Sequence, residues 1–251
     1  MCNSSGKQFY SGGIVMYKMT GRIRYSECGT DNKLTLAGLI NYFQDATSEH
    51  SQLLGVGAEY MKERQKAWVL NTWQVEVERY PVCSEEVVVE TWPTGFKGIL
   101  GPRDFCMKTA DGEILARAAT LWVFVDAVTG RPTKPEEQDV APYTLGEPQE
   151  MEKVARKIPM PEASVMVDTF PVRKYHIDTN NHVNNAQYVQ MAAEVLPEDF
   201  CVKKLRVEYK KAAVLGDDMV LKYAKEEDRL VAEICDNDGA TYVLVEFRGE
   251  N

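Results

Sequence analysis

The residues of this chain with the clearest chemical potential lie in one short run, Tyr175 to Tyr188, which reads YHIDTNNHVNNAQY. If the backbone is extended there, Asp178, Asn180 and His182 project from the same face, because side chains alternate along a strand with a period of two. A carboxylate, an amide and an imidazole on one face are suited to general acid–base or nucleophilic chemistry. A helix follows the run, and its first N–H groups could stabilise a developing oxyanion.

The same run allows two other interpretations. Asp and Asn are common turn and N-cap residues, so DTNNHVNN could be a polar loop that leads into a capped helix. His176, Asp178 and His182 are also metal-ligand types, but a further strong ligand, such as a paired carboxylate, is not evident nearby. We therefore predict no metal site. The residues alone leave the catalytic and the capped-turn interpretations open.

Two helices are predicted, one in each half of the chain. In the first half, a helical apolar pattern begins behind Thr35 as the N-cap, and Gly55 marks its end. In the second half, the same kind of pattern begins behind Asn184 and stops before Pro197. The chemical run therefore lies directly before the second helix.

The two halves look like copies of each other. The strand QVEV of residues 74–77 matches RVEY of residues 206–209 at an offset of 132, and the Asp-Gly hairpin turn of residues 111–112 matches that of residues 238–239 at an offset of 127. An offset of 146 aligns the two helices. A duplicated unit explains these matches, and a helix followed by alternating strands predicts an α+β class in which an antiparallel sheet packs on the helix.

The offset of 146 also predicts different roles for the two halves. It places the three polar residues of the second half on three positions of the first half, which are Asn32, Leu34 and Leu36. The same structural position would then be polar in one copy and mostly apolar in the other. We therefore expect the second half to carry the chemistry and the first half to hold an apolar ligand.

Length and proline content predict the domain bounds. The chain has 251 residues, and at about 150 residues per domain it holds one or two domains. Six of its eleven prolines fall between residues 131 and 161, which indicates a linker. We predict an N-terminal half over residues 1–130, a proline-rich linker over 131–163 and a C-terminal half over 164–251.

Charge and patterning exclude several classes of protein. A net charge of -9 argues against a nucleic-acid-binding protein, which needs a basic surface. The apolar run of residues 118–125 is far shorter than the roughly 20 residues that cross a bilayer, so no membrane insertion is expected. Six scattered cysteines without a CxxC pair, and an N-terminus without a signal-like pattern, favour a cytoplasmic protein with free thiols.

On these residues the chain resembles the acyl-acyl carrier protein thioesterases, which are tandem (double) hotdog proteins of plant plastids and bacteria. Asp178 to Asn185, with Tyr188 beyond, is similar to the family signature D-x-N-x-H-V-N-N-x-x-Y. Similar landmarks occur in the first half, at residues 41–50, 68–81, 90–92 and 117–122. The resemblance extends from about Lys18 to the C-terminus.

This resemblance implies both a fold and an activity. Each half would be an antiparallel sheet wrapped around a long central helix, and the protein would hydrolyse the thioester between a fatty acyl chain and acyl carrier protein, without a metal or organic cofactor. Asp178, Asn180 and His182 would be catalytic, with Asp178 either the nucleophile or the general base. An acyl-CoA thioesterase and a non-catalytic module that binds acyl thioesters are the alternatives.

The resemblance also implies which residues bind the substrate, and the chain departs from the family pattern at one place. The family holds the acyl chain in the N-terminal half, where the first helix carries Leu36, Leu39, Ile40 and Phe43. Val183 and Asn184 would bind substrate beside the catalytic residues. Plant members carry a Glu-Cys pair after the strand that corresponds to residues 208–211, where this chain has Ala212-Ala213. A catalytic cysteine or glutamate at that place is therefore excluded.

A basic cluster suggests a way to dock the partner. It consists of Lys203, Lys204, Arg206, Lys210 and Lys211. In an acidic chain, these side chains either cover a solvated strand face or dock an acidic carrier protein. His50 and His176 are expected to be structural or exposed to solvent. The protein is expected to be a monomer or a homodimer, since two fused units already supply the pairing that single units obtain by dimerising.

Overall fold

The computed structural model describes residues 16–161, 163–226 and 228–250. The strands are β1 (Tyr17–Arg22), β2 (Lys66–Val77), β3 (Glu86–Pro93), β4 (Leu100–Thr109), β5 (Ile114–Asp126), β6 (Val165–Pro171), β7 (Cys201–Tyr209), β8 (Asp218–Lys225), β9 (Leu230–Cys235) and β10 (Thr241–Glu250). The helices are α1 (Leu36–Leu53), α2 (Ala58–Glu63), α3 (Glu137–Val140) and α4 (Asn185–Ala193). None of the helices in these ranges has the length and hydropathy of a membrane-spanning segment.

The ten strands form one antiparallel sheet in the order β1-β3-β4-β5-β2-β7-β10-β9-β8-β6. The first five and the last five come from different halves, and their orders mirror each other about the β2–β7 pair. In that pair, Gln74 lies opposite Arg206 and Trp73 lies opposite Val207. Because Gln74 and Arg206 are also equivalent residues of the repeat, this pairing is self-complementary, as in a two-fold dimer interface. The predicted α+β duplication is confirmed.

Helix α1 begins and ends where the sequence predicts. The hydroxyl of Thr35 accepts a hydrogen bond from the N–H of Gly38 at 3.1 Å, which caps the first turn. Gly55 follows the helix with φ 76°, a left-handed conformation that favours glycine. The local signals at both ends therefore suffice to define this helix.

The apolar face of α1 packs on the inner face of the sheet. The ring of Phe43 lies 5.1 Å from that of Phe105 and 6.0 Å from that of Trp73, measured between centroids. All three side chains are almost fully buried, in a core that continues across the β2–β7 pair into the second half. Burial of each such aromatic side chain contributes on the order of 2–3 kcal/mol.

Helix α4 is shorter than predicted. It has 9 residues against 18 in α1, so a long central helix is present in the first half but not in the second. It starts behind Asn184 as expected, but it ends at Ala193 instead of continuing to the residue before Pro197. Proline has no N–H to donate to the carbonyl of Ala193, and Leu196 donates to that carbonyl instead, at 3.0 Å, in a tighter turn.

The offset of 146 between the halves is wrong at the turns that precede the helices. In the first half, the N–H of Gly29 donates to the carbonyl of Lys33 at 2.9 Å, and in the second half Asp178 donates to His182 in the same way at 2.8 Å. The equivalent turns are therefore 149 residues apart. Asp178, Asn180 and His182 correspond to Gly29, Asp31 and Lys33. The predicted contrast between a polar and an apolar copy is wrong, since both turns are polar.

The proline-rich segment crosses the outer face of the sheet. The backbone N–H of Gln149 donates to the carboxylate of Asp104 at 2.8 Å, and its side-chain amide donates to the carbonyls of Phe105 and Ala118 at 3.0 and 2.7 Å. Closer to the β2–β7 pair, the side chain of Gln74 donates to the carbonyl of Glu152 at 2.7 Å. This segment is thus held by the strands that it connects.

Candidate active site

The residues singled out by the sequence lie in a closed turn and not in an extended segment. A β-bridge between Ile177 and Val183 closes its base, and the N–H of Asp178 donates to the carbonyl of His182 across it. Asn181 takes φ 61°, which Asn tolerates better than most residues. The expectation of an extended backbone is therefore wrong, although the turn brings Asp178 and Asn180 together.

The carboxylate of Asp178 is partly occupied by the turn itself. Its Oδ1 accepts from the backbone N–H of Asn180 at 2.8 Å and from that of His182 at 3.4 Å. Among the described residues, its Oδ2 accepts only from the side-chain amide of Asn180, at 3.5 Å. The His182 side chain is exposed, and its ring makes no hydrogen bond with the described residues. Oδ2 is thus the oxygen of Asp178 that is available to react.

The first turn of α4, which follows the turn of Asp178 along the chain, leaves a backbone donor free among the described residues. The side chain of Asn184 accepts from the N–H of Ala186 at 2.8 Å, so Asn184 is the N-cap. The N–H of Asn184 donates to the carbonyl of His176 at 2.8 Å. The N–H of Asn185 finds no acceptor among the described residues, as expected for the first residue of a helix. It can donate to an oxyanion at the positive end of the helix.

The segment after β7 lies against the start of α4. The N–H of Ala213 donates to the hydroxyl of Tyr188 at 2.8 Å, and the carbonyl of Ala213 accepts from the N–H of Val183 at 2.9 Å. Burial raises the pKa of the Tyr188 hydroxyl well above its usual range, so that group is neutral. The Ala212-Ala213 departure therefore lies against the turn that precedes α4, and Ala213 is buried there.

His176 has a structural role. Its Nδ1 accepts from the N–H of Arg173 at 3.0 Å, its side chain is buried, and burial and then the nearby Arg173 lower its pKa. Within residues 16–161, 163–226 and 228–250, no three His, Cys, Asp or Glu side chains are placed to hold a metal ion.

The residues predicted to bind the acyl chain lie in or against the core. Leu39, Ile40 and Phe43 are almost completely buried, and Leu36 is half-buried against the same cluster. Val183 is also part of this core. An acyl chain that reached these side chains would have to separate them from the sheet.

A contact between the two halves was missed by the sequence analysis. The side-chain oxygen of Gln44, on α1, accepts from the side-chain amide of Asn185, on α4, at 2.8 Å. The hydroxyl of Tyr209 donates to the carbonyl of Asn185 at 3.0 Å. Gln44 and Asn185 lie 141 positions apart, and neither carries a local signal that predicts their contact.

Four of the five side chains of the basic cluster have acidic partners within the chain. The pairs are Lys204 with Glu152 at 2.6 Å, Arg206 with Glu246 at 3.2 Å, Lys210 with Glu208 at 3.6 Å and Lys211 with Asp236 at 3.1 Å. The remaining side chain, that of Lys203, donates to the carbonyl of Glu78 at 3.3 Å. These contacts favour a strand face with internal ion pairs over a surface whose charges are free for docking.

A second buried polar cluster lies in the N-terminal half. The Nδ1 of His50 is 3.1 Å from the guanidinium of Arg103, which also donates to the hydroxyl of Thr91 at 3.1 Å. No described carboxylate lies within salt-bridge distance of Arg103, and burial lowers its pKa to about 10. Burial, and then Arg103, lower the pKa of His50 to about 3. His50 is therefore a neutral structural residue.

Models of known protein families match both halves of the chain. The model for the N-terminal domain of acyl-ACP thioesterases matches residues 15–143, and the model for their C-terminal domain matches residues 160–247. The chain belongs to the acyl-ACP thioesterase family. The predicted family is thus confirmed.

Individual members of the family show the extent of the similarity. The chain is 28% identical over 237 residues to the chloroplastic acyl-[acyl-carrier-protein] hydrolase FATB3 of Cuphea viscosissima, covering 86% of this chain and 57% of that protein. It spans about half the length of the curated relatives it matches.

Solved structures of acyl-ACP thioesterases share the fold. One from Bacteroides thetaiotaomicron matches with a TM-score of 0.86 and 20% identity over 94% of this chain and 98% of its own. The 12:0-ACP thioesterase from Umbellularia californica matches with a TM-score of 0.78 and 22% identity over 96% of this chain and 99% of its own. The predicted tandem hotdog fold is confirmed.

Proposed function

We propose that this protein hydrolyses the thioester of fatty acyl-acyl carrier protein, which releases a free fatty acid and ends chain elongation. The observation that carries the proposal is the turn of Asp178, Asn180 and His182 at the start of α4, in a chain that matches both domains of the thioesterase family. The reacting groups are then side chains, a backbone N–H and water.

The geometry suggests a role for each group. Oδ2 of Asp178 either attacks the thioester carbon or takes a proton from the water that attacks it. The N–H of Asn185 donates to the oxyanion that forms on the carbonyl oxygen. The C–S bond breaks, and the exposed imidazole of His182 passes a proton from solvent to the leaving thiolate. Where Asp178 is the nucleophile, water then hydrolyses the acyl-Asp anhydride, which releases the fatty acid and restores the carboxylate. Asn180 holds the carboxylate of Asp178 in place through its backbone and side-chain amides.

The rest of the proposal concerns substrate, partner and location. The N-terminal half, residues 1–130, would hold the acyl chain against α1, and residues 164–251 would carry the reaction beyond the 131–163 linker. The partner would be acyl carrier protein, bound through a surface other than the basic cluster, since four of its five side chains already pair with carboxylates of this chain. A cytoplasmic location is supported by five free cysteines in the described residues. The N-terminal pattern used for the same prediction lies outside those residues.

The test is release of free thiol from a panel of acyl-acyl carrier proteins of graded chain length. We expect wild type to cleave a window of chain lengths, and Asp178→Asn and His182→Ala to lose about 100-fold or more in kcat while they stay folded. Asp31→Asn, in the equivalent turn of the first half, is the matched control and should remain active. Faster turnover of acyl-CoA at equal chain length would favour an acyl-CoA thioesterase. Binding without thiol release would leave only a binding module.

The two roles of Asp178 differ in the fate of solvent oxygen. Repeated turnover in ¹⁸O-water labels the Asp178 carboxylate if an acyl-enzyme anhydride forms and is hydrolysed at the Asp carbon. If Asp178 acts as a general base, or if the anhydride is hydrolysed at the acyl carbon, the label enters only the fatty acid. Label found by mass spectrometry in the peptide that contains Asp178 therefore identifies Asp178 as the nucleophile.

A further inference from the structure

A hydrogen bond joins the two halves at the start of α4. Gln44 on α1 accepts from the side-chain amide of Asn185 at 2.8 Å, and both side chains are partly buried. Asn185 is the first residue of α4, and its backbone N–H is the free donor of the candidate site. A residue of the N-terminal half therefore reaches the element that would stabilise the oxyanion.

Asn185 is also held from a second side. Its carbonyl accepts from the hydroxyl of Tyr209 at 3.0 Å, and the carbonyl of Tyr209 accepts from the side chain of Asn71 at 3.2 Å. Burial raises the pKa of Tyr209 well above its usual range, so the hydroxyl keeps its proton and remains a donor. The side chain and the carbonyl of Asn185 are thus both fixed. Its N–H lies in the preceding peptide plane, which is held in turn because the carbonyl of Asn184 accepts from the N–H of Gln187 at 3.0 Å.

Because the fold is duplicated, the positions related to Gln44, Asn185 and Tyr209 can be compared with them. At the offsets that the structure establishes, 149 before and within the helices and 132 after them, the counterparts of Asn185 and Tyr209 in the first half are Leu36 and Val77, and the counterpart of Gln44 in the second half is Ala193. These three residues are apolar, and the turn beside them has Gly29 at the position of Asp178. In the part of the chain that the structure describes, the polar network therefore occurs only at the end that carries the carboxylate of Asp178. Packing of the two helices does not require it, since the related end has no such network.

We propose that Gln44 is a positioning residue for thioester hydrolysis. It acts through Asn185, whose backbone N–H it holds in the direction of the thioester carbonyl oxygen. The inference rests on the proposed function and adds to it that the site is composite: the N-terminal half contributes to the chemistry as well as holding the acyl chain. The loss of one neutral hydrogen bond of this kind corresponds to about a tenfold change in rate.

The first test compares Gln44→Met with Gln190→Met in thiol release from acyl-acyl carrier protein. Methionine keeps the size of glutamine and removes the acceptor. Gln190 is an exposed glutamine on α4 and serves as the control. We expect Gln44→Met to lower kcat about tenfold, with KM and the chain-length profile unchanged, and Gln190→Met to match wild type. A Gln44→Met variant with wild-type kcat, or with a changed KM only, would overturn the proposal.

An exchange of the two side chains separates positioning from packing. Gln44→Asn shortens one side of the pair and should lower kcat, and Asn185→Gln in the same chain restores the combined length and should recover most of the rate. Failure to recover, with a melting temperature equal to that of wild type, would refute the positioning role. If wild type itself releases no thiol, the proposed function fails first. If wild type is active and the Gln44 variants are equally active, the positioning role of Gln44 is refuted while the proposed function stands.

Discussion

The buried imidazole of His50 makes a specific prediction about stability and pH. Its Nδ1 faces the guanidinium of Arg103 at 3.1 Å, its Nε2 is buried with no partner among the described residues, and Tyr17 stacks on it at 5.5 Å. Protonation in the folded state would place two cations side by side without solvent. His50 therefore stays neutral when folded, whereas in the unfolded chain it takes a proton below its ordinary pKa.

The size of the effect follows from the two pKa values of His50, about 3 when folded and 6.5 when unfolded. Because the folded pKa is lowered, this contribution to stability is present above pH 6.5 and is lost as the pH falls toward 3. Between pH 7 and pH 5 the loss is about 2 kcal/mol. Burial raises the pKa of Asp104 from 3.8 to about 6, which has the opposite sign and adds about 1.3 kcal/mol over the same interval.

The assay is urea unfolding at pH 7 and pH 5 of wild type, His50→Gln and Asp104→Asn. Glutamine keeps an acceptor for Arg103 but does not titrate, so His50→Gln should remove about 2 kcal/mol of the acid-induced loss. Asp104→Asn should lose about 1.3 kcal/mol more than wild type over the same interval. Equal pH dependence in wild type and His50→Gln would refute the assignment of a buried neutral imidazole.

Three further predictions concern stability and are checked by urea unfolding. Tyr188→Phe leaves the buried N–H of Ala213 without an acceptor and should cost about 1–3 kcal/mol; an unchanged free energy of unfolding would show that another group satisfies that N–H. Gln149→Ala removes the bonds to two strand carbonyls and should cost about 1–2 kcal/mol, whereas a neutral result would mean that the linker is held elsewhere. Ser84 and Gly216 occupy equivalent turns with φ 68° and 93°, a conformation that favours glycine. Ser84→Gly should therefore stabilise the protein and Gly216→Ser destabilise it, by about 1 kcal/mol each. A change of the same sign in both variants would contradict this reasoning.

Local signals in the sequence predict the elements of this fold well. Thr35 and Asn184 cap their helices because a side-chain oxygen next to a free N–H is a short-range property. The strands of residues 74–77 and 206–209 are recognisable because alternation needs only the neighbouring residues. The position of the turn before α4 follows from the same signals, and with it the place of Asp178.

The offset between the halves fails for a geometric reason. An error of three residues rotates a helix by about 300°, which is close to a full turn, so its apolar face still overlaps itself. A turn has no such periodicity. The same error of three residues therefore assigns Asn32 instead of Gly29 as the counterpart of Asp178. The helices alone therefore cannot distinguish an offset of 146 from one of 149.

Contacts between distant parts of the chain could not be predicted from one sequence. Gln44 and Asn185 each look like ordinary helix residues, and only the pairing of β2 with β7 brings their helices together. The early end of α4 depends on a competition for the carbonyl of Ala193 that a periodic pattern does not express. The ion pairs of Lys204 with Glu152 and of Arg206 with Glu246 arise in the same way, since these acidic partners lie 52 and 40 residues away in the chain.

The equivalence of the turns at Gly29 and Asp178 bears on how two fused copies evolve. In a dimer of identical subunits, every codon change appears at both related sites. In a single chain the two turns inherit changes separately, so one can keep a backbone shape without its carboxylate while the other keeps both. The first turn is therefore a ready scaffold for design: Gly29→Asp, Asp31→Asn and Lys33→His would place the same three side chains on a loop that already closes with the same hydrogen bond.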